Sequence, residues 1–159
     1  RLTERFSSLV QGVPVYLPAP GVVSSMDMYT AMMNDQFVQQ AVNLFDEITL
    51  ALVGIGSVEP SKLLASSGNV FSSDELNQLR EAGAVGDIAL RFFDDKGVPV
   101  STPLNERVIS MSLEQLKSAK RSIGIAGGGR KIPAIKGALS GGWINVLITD
   151  KTTAEALLD

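Results

Sequence analysis

The sequence contains neither cysteine nor histidine, and it has no run of Lys or Arg. Without cysteine there is no disulfide framework and no thiol nucleophile, and without histidine the usual general base and the commonest metal ligand are missing. We therefore expect no metal site, no cofactor and no catalytic triad. The 14 Lys and Arg residues are outnumbered by 17 Asp and Glu, a net charge of −3, so no basic patch for a nucleic-acid backbone is expected.

Long apolar stretches are also lacking. The longest, such as residues 48–55, fall far short of the ~20 residues that a membrane-spanning helix needs, and no charged-then-apolar leader opens the chain. We therefore expect a cytoplasmic protein that does not contact a membrane. Its 159 residues are 45% hydrophobic, enough for a core, and no repeat or linker interrupts them, so residues 1–159 are predicted to form one domain.

Short apolar runs that end in Gly, Asp or Pro alternate with segments of helical spacing. This alternation predicts an α/β fold with a mostly parallel sheet. Because most of the runs are apolar throughout, we expect helices to cover both faces of the sheet. The predicted strands are residues 14–17, 48–55, 88–93, 122–126 and 144–149.

The predicted helices begin at residues that can cap them. In a capping box, a hydroxyl and the Glu or Gln three residues later satisfy each other's backbone amides. Another helix is predicted over residues 130–139, with a proline in its first turn. The predicted caps are Asp35, the boxes Ser72 with Glu75 and Ser112 with Gln115, and Asp150 or Thr152 for a final helix.

One segment departs from the parallel pattern. After residues 88–93, the sequence Asp-Asp-Lys-Gly predicts a turn with Gly97 in a left-handed conformation, which leads into a second extended stretch at residues 98–100. A third stretch, residues 108–111, is a candidate to pair with it. We therefore expect a short antiparallel excursion near residues 88–111.

The strongest local signal for a ligand site is the loop of three glycines at residues 127–129. Glycines let a backbone approach a ligand closely, and the following Arg130 and Lys131 add positive charge that suits a phosphate. The spacing matches neither the P-loop nor the dinucleotide fingerprint. The alternative is a tight strand-to-helix turn whose basic residues face solvent.

Three other positions give weaker signals. Residues 54–57 form a similar glycine turn, with Glu59 as the nearest carboxylate. Asp87, just before a predicted strand, could accept hydrogen bonds from sugar hydroxyls or simply cap a loop. Arg107 is predicted to be a solvated arginine rather than an anion clamp.

The ordered set of segments resembles the sugar-binding domain of the SorC/DeoR family of bacterial transcriptional regulators. The segments span nearly the whole chain and occur in the family's order. They are LPAP (17–20), LVGIGS (52–57), GAVGDI (83–88), FFD with Gly97 (92–97), LNERVI (104–109), AGG with Lys131 (126–131) and NVLITD with Ala154 (145–154).

The resemblance implies a Rossmann-like fold akin to sugar-phosphate isomerases and CoA-transferases. It also implies a domain that senses a phosphorylated sugar and forms homo-oligomers, while a separate helix-turn-helix module binds operator DNA. That module, the family's first strand and the Gly- and Thr-rich loop after it are expected to lie outside this chain.

The family's site positions fall on specific residues here. Its Gly-Gly-x-x-Lys pattern makes Lys131 the expected anion contact, and its Gly-Ala-Val-Gly-acid motif makes Asp87 the expected partner of sugar hydroxyls. The lysine that forms a Schiff base in some relatives has no matching position, so no covalent chemistry and no catalytic residue are expected. The expected ligand-binding residues are Gly54, Gly56, Ser57, Asp87, Gly127, Gly128 and Lys131.

Two other functions stay open at this stage. A sugar-phosphate isomerase or deaminase on the same fold would need a carboxylate base, for which Glu59 and Asp87 are the only plausible residues. A nucleotide-binding domain could use residues 127–129, but it is disfavoured because the acidic ribose contact is missing.

Overall fold

The computed structural model describes residues 2–58 and 71–158, and it places their strands in two three-stranded sheets. The strands are β1 (Leu50–Gly54), β2 (Gly56–Ser57), β3 (Gly86–Ile88), β4 (Arg91–Phe93), β5 (Arg121–Ile125) and β6 (Val146–Ile148).

The helices surround these sheets and are short. They are α1 (Leu2–Val10), α2 (Met26–Met33), α3 (Gln36–Val42), α4 (Ser73–Glu81), α5 (Leu113–Ser118), α6 (Ile132–Ser140) and α7 (Lys151–Leu158). Single turns of 3-10 helix span Asn43–Glu47, Pro103–Arg107 and Gly129–Lys131. Among the described residues, no helix combines the length and apolarity that crossing a membrane requires.

The first sheet is parallel, with strand order β1-β5-β6. Helices α5 and α6 both contribute to the buried apolar cluster against this sheet, to which Ala51, Leu116 and Ile135 belong. The predicted α/β class with a mostly parallel sheet is therefore confirmed.

The opposite face of the parallel sheet is partly bare among the described residues. The side chains of Leu50, Leu52, Ile125 and Ile148 are 47%, 50%, 49% and 52% exposed. Helix α1 lies near this face and forms a groove with it, but no residue of α1 is buried. The predicted flanking of the sheet by helices is therefore confirmed, but among the described residues α1 covers this face only in part.

The second sheet is antiparallel, with strand order β2-β3-β4. Strands β3 and β4 form a hairpin whose two turn residues, Ala89 and Leu90, both have positive φ, at 52° and 64°. The prediction of one strand over residues 88–93 is therefore wrong, since the turn falls inside it. The usual signal for such a turn is Asn-Gly, and an apolar Ala-Leu pair conceals it.

The predicted turn after this hairpin is confirmed. Gly97 has a φ of +81°, and the carboxylate of Asp94 accepts hydrogen bonds from the amides of Lys96 and Val98 at 2.9 Å and 2.8 Å. The chain then bridges back from Pro99 to Phe93. The short antiparallel excursion therefore exists and contains two turns rather than one.

Two predicted extended segments pair differently. Residues 14–17 form no strand, because the described residues place no neighbouring strand beside them, and Val15 and Tyr16 are exposed. Val108 bridges to Val22 instead of to residues 98–100, since the amide of Val23 donates to the carbonyl of Arg107.

The capping predictions are confirmed. Asp35 accepts the amides of the first turn of α3, and both predicted capping boxes form, at the starts of α4 and α5. Asp150 accepts the amide of Thr153 and caps α7. Helix α6 begins at residue 132 rather than 130, because Gly129–Lys131 form a 3-10 turn before it.

We predict that Gly137→Ala destabilises the protein. A Cβ at Gly137 would lie 2.6 Å from the carbonyl oxygen of Asp94 and 3.0 Å from the ring of Phe93, so α6 would have to move away from β4. Alanine ordinarily stabilises a helix interior by ~0.5–1 kcal/mol relative to glycine, whereas overpacking costs about 1–3 kcal/mol.

The measurement is urea unfolding of both proteins, with Ser140→Ala at the exposed end of the same helix as the control. The control should change the unfolding free energy by less than about 0.5 kcal/mol. A Gly137→Ala variant as stable as the wild type would contradict the close packing of α6 on β4.

Candidate ligand site at the carboxyl edge of the parallel sheet

The carboxyl ends of β1 and β5 lie side by side, since Gly54 pairs with Ile125. The chain leaves β1 into residues 55–57 and leaves β5 into the glycine loop. In open α/β sheets ligands bind at this edge, where helix amino termini and loops present backbone amides. Two segments that the sequence analysis singled out, residues 54–57 and the glycine loop at residues 127–129, therefore meet at this edge.

Lys131 points into this edge. Its ammonium donates a hydrogen bond to the carbonyl oxygen of Ile55 at 2.8 Å, and its side chain is partly buried. The neighbouring Arg130 is exposed. The alternative in which both basic residues face solvent is therefore wrong for Lys131 and right for Arg130.

Asp87 lies on the neighbouring strand of the antiparallel sheet, where it pairs with Gly56. A Cβ at Gly56 would collide with Oδ1 of Asp87, so only glycine leaves room for this carboxylate. The other oxygen, Oδ2, accepts a hydrogen bond from the amide of Leu90 at 3.0 Å. Burial raises the pKa of Asp87 to about 6, against the opposing effects of the Leu90 amide and the charge of Lys131.

The glycine loop is held by a second carboxylate. The amide of Gly128 donates to Oδ2 of Asp150 at 3.1 Å and to Oγ1 of Thr153 at 2.8 Å. Hydrogen bonds from the backbone and side chain of Thr153, with that from Gly128, lower the pKa of Asp150 below its usual range. Asp150 thus gives the loop its shape, and the Gly128 amide already has acceptors.

Sequence reasoning identified Asp150 as a helix cap and as the residue that ends a strand, but it missed its contact with the loop. The helix-capping signal predicts which amides of α7 the carboxylate accepts, but not which loop lies beside it. A Cβ at Gly127 would collide with Oδ2 of Asp150, which explains why glycine stands there.

The structure brings most of the predicted site residues together. Asp87 and Gly56 are paired across the antiparallel ladder, Lys131 contacts the residue before Gly56, and Ser57 pairs with Gly86. The amide of Lys131 also donates to the carbonyl of Gly128 at 2.9 Å, which ties the glycine loop to this group. Glu59 lies outside the described residues.

Arg107 lies elsewhere and has a structural role. Its guanidinium forms an ion pair with Glu75, donates to the carbonyls of Val23 and Ser24 at 3.4 Å, and lies 6.0 Å from the ring centroid of Phe71. The prediction of a solvated arginine is therefore wrong. The sequence shows no spacing between these partners that would have indicated the contact.

The chemistry that this edge can perform is recognition. A carboxylate accepts hydrogen bonds from ligand hydroxyls, and an ammonium offers donors and positive charge to an anionic group. Within residues 2–58 and 71–158, no three His, Cys, Asp or Glu side chains form a group that could hold a metal ion.

Comparison with known proteins identifies the family. The family model described as "Putative sugar-binding domain" matches residues 1–159. The deoxyribonucleoside regulator of Bacillus subtilis is 38% identical over 156 residues, which are 98% of this chain and 49% of that protein. The chain belongs to this sugar-binding domain family. The relatives compared here are DeoR/SorC-type transcriptional regulators, as the resemblance implied.

Two further relatives agree with this assignment. The sorbitol operon regulator of Klebsiella pneumoniae is 36% identical over 140 residues, covering 87% of this chain and 44% of that regulator. The crystal structure of a probable sor operon regulator from Shigella flexneri superimposes with a TM-score of 0.89 at 32% identity, over 99% of this chain and 61% of that one.

The chain spans about half the length of the curated relatives that it matches. These relatives are named as regulators, so the domain belongs with regulatory proteins rather than with the isomerases and deaminases of the alternative.

We predict that Asp87→Asn stabilises the protein at neutral pH. The folded-state pKa of Asp87, about 6, lies above the ordinary aspartate value of 3.8. The stability that the protonated carboxyl contributes is therefore complete below about pH 3.8 and is lost as the pH rises to 6. Asparagine stays neutral and can still accept the Leu90 amide.

At pH 7.5 the variant should be more stable by ~1–3 kcal/mol, and the difference should shrink towards pH 4. Urea unfolding at several pH values measures it, with Asp95→Asn on the exposed turn as a control of equal charge change. Parallel stability curves for wild type and Asp87→Asn would show that Asp87 is not a desolvated carboxyl.

Proposed function

We propose that this domain, in its full-length regulator, binds a phosphorylated sugar at the carboxyl edge of the parallel sheet and thereby controls DNA binding. The observation that carries the proposal is that a partly buried carboxylate, Asp87, feels the charge of an inward-pointing ammonium, Lys131, which follows the glycine loop. Proteins that recognise polyols and anions need this combination of acceptor and cation.

Each group has a part in this proposal. Asp87 accepts hydrogen bonds from sugar hydroxyls, and Lys131 contacts the anionic part of the ligand with the donors that Ile55 does not use. The other residues proposed to contact the ligand have little or no side chain, so a ligand can approach their backbone closely. They are Gly54, Gly56, Ser57, Gly127 and Gly128.

The names of two relatives support a sugar-derived effector. One is a deoxyribonucleoside regulator and the other a sorbitol operon regulator, and the names refer to a compound that contains a sugar and to a sugar alcohol. The cationic Lys131 favours the phosphorylated form over the neutral one. This choice is part of the proposal and separates it from the coarser assignment as a sugar-binding domain.

The response to the effector is a shift between arrangements of the whole regulator. A ligand that binds one arrangement more tightly than another changes their populations, and no chemical step is needed. We infer that the full-length regulator forms homo-oligomers and contacts operator DNA through a separate domain. Such a regulator works in the cytoplasm, where the bacterial chromosome lies.

The effector can be found by a thermal-shift screen of the full-length regulator. A ligand that binds only the native state raises the melting temperature. The panel contains 2-deoxyribose 5-phosphate, sorbitol 6-phosphate, fructose 6-phosphate and glucose 6-phosphate, with each unphosphorylated compound and inorganic phosphate as controls. A response to the unphosphorylated compounds alone would overturn the preference for phosphate.

We predict that Lys131→Met weakens binding of the sugar phosphate from this panel at least tenfold. The variant loses a charged donor, and hydrogen bonds to charged groups are worth about 1.5–3 kcal/mol. Titration calorimetry on the full-length regulator measures the dissociation constant.

The matched control is Lys136→Met, which removes the same charge from an exposed position on helix α6. It should bind with wild-type affinity. Unchanged affinity in Lys131→Met would remove this residue from the site.

A further inference from the structure

The turn that carries the Asp87 contact is unusual in its residues. Ala89 and Leu90 are the two central residues of a two-residue hairpin turn, and both have positive φ. This is the conformation of a type I′ turn, which glycine and asparagine adopt easily and other residues rarely do. Backbone strain of this kind persists only where the surrounding structure holds it, and it is often found at functional sites.

The turn has a direct contact with the candidate site. The Leu90 amide donates to Oδ2 of Asp87 at 3.0 Å, so the turn's own backbone holds the carboxylate that pairs with Gly56. The side chain of Leu90 packs against the second apolar cluster, which contains Leu79 and Phe92. Ala89 is exposed and makes no such contribution. Packing therefore holds one half of the turn and leaves the other half without support.

Arg91 supplies a second restraint, at the first residue after the turn. Its guanidinium donates to three backbone carbonyls, those of Asn105 at 3.1 Å, Val108 at 3.1 Å and Ser110 at 3.2 Å. Because the guanidinium is planar and its donors have fixed directions, three such bonds fix its position.

The segment that Arg91 contacts is itself anchored. The amide of Ile109 donates to the carbonyl of Gly21 at 3.0 Å, and Val108 bridges to Val22. Arg91 also pairs with Ile88 across the hairpin, so it sits directly beside the strained turn. The start of β4 is thus tied to a part of the chain that does not belong to the hairpin.

We propose that Arg91 is a positioning residue for the ligand site: its guanidinium holds the start of β4, keeps the Ala89-Leu90 turn closed, and so keeps the Leu90 amide on the Asp87 carboxylate. The importance of this position for ligand binding rests on the proposed function, in which Asp87 accepts the sugar hydroxyls. A merely structural Arg91 would change stability and leave the orientation and titration of Asp87 as they are.

The experiment uses the full-length regulator with Arg91→Met, alone and combined with Ala89→Asn. Asparagine tolerates positive φ, so it relieves the strain at the exposed half of the turn and makes the restraint from Arg91 unnecessary. Arg121→Met, at an exposed arginine of β5, is the control for charge. Arg91→Lys serves if Arg91→Met does not fold, because a lysine keeps a charged donor but cannot span three carbonyls.

Two readouts are made on each folded variant. The first is the carboxyl carbon titration of Asp87 by NMR with labelled aspartate, which needs no ligand. Asp87→Asn identifies its signal. The second is the affinity for 2-deoxyribose 5-phosphate and sorbitol 6-phosphate by calorimetry at pH 7.5.

We expect Arg91→Met to raise the pKa of Asp87, because the carboxylate loses the hydrogen bond from the Leu90 amide that favours its charged form. We also expect the variant to bind the sugar phosphate at least fivefold more weakly. Adding Ala89→Asn should restore most of the wild-type titration of Asp87 and most of the affinity. The control Arg121→Met should change neither the titration nor the affinity. An Arg91→Met protein with wild-type titration would overturn the inference, and so would an altered titration that Ala89→Asn does not restore.

The two proposals fail separately. If Asp87→Asn binds both sugar phosphates as the wild type does, the proposed role of Asp87 in binding is wrong, whatever Arg91→Met does to the titration. If Asp87→Asn loses binding and Arg91→Met leaves both readouts unchanged, the role of Arg91 is wrong and the proposed function stands.

Discussion

The candidate site depends on one constraint, the placement of the Asp87 carboxylate out of contact with most of the solvent. A desolvated carboxylate is costly unless hydrogen bonds or opposite charge compensate it. Here the Leu90 amide and the charge of Lys131 both favour its ionised form, yet burial still raises its pKa. The absence of a side chain at Gly56 then provides the space that the carboxylate needs.

The second carboxylate at this edge, Asp150, has its pKa shifted in the opposite direction. It is exposed and accepts hydrogen bonds from Thr153 and Gly128, so its pKa is lowered rather than raised. Its hydrogen bonds from Gly128 and Thr153 hold the glycine loop against the start of α7. The two carboxylates thus differ: Asp150 accepts hydrogen bonds from the glycine loop and from Thr153, whereas Asp87 accepts one from the Leu90 amide and, in the proposed function, others from a ligand.

Local sequence signals correctly predicted the features that local interactions stabilise, namely helix caps and one turn. The caps at Asp35, Ser72 and Ser112 and the turn at Gly97 formed as predicted, since each needs only residues within a few positions along the chain. The order of the motifs indicated the family correctly. The hairpin turn at Ala89 and Leu90 was missed because its restraints, the packing of Leu90 and the carbonyls that Arg91 contacts, come from distant segments.

The amino-acid sequence by itself determined the alternation of helices and strands, the capped helix starts and the kind of groups available for binding. The tertiary structure alone decided that Lys131 turns inward onto Ile55 and that Arg107 pairs with Glu75. It also decided that, among the described residues, the apolar cluster with Ala51 covers one face of the parallel sheet and the other face is partly bare. The physical reason is that burial and ion pairing depend on which distant segments become neighbours in the fold. The spacing of residues along the chain does not determine which segments these are.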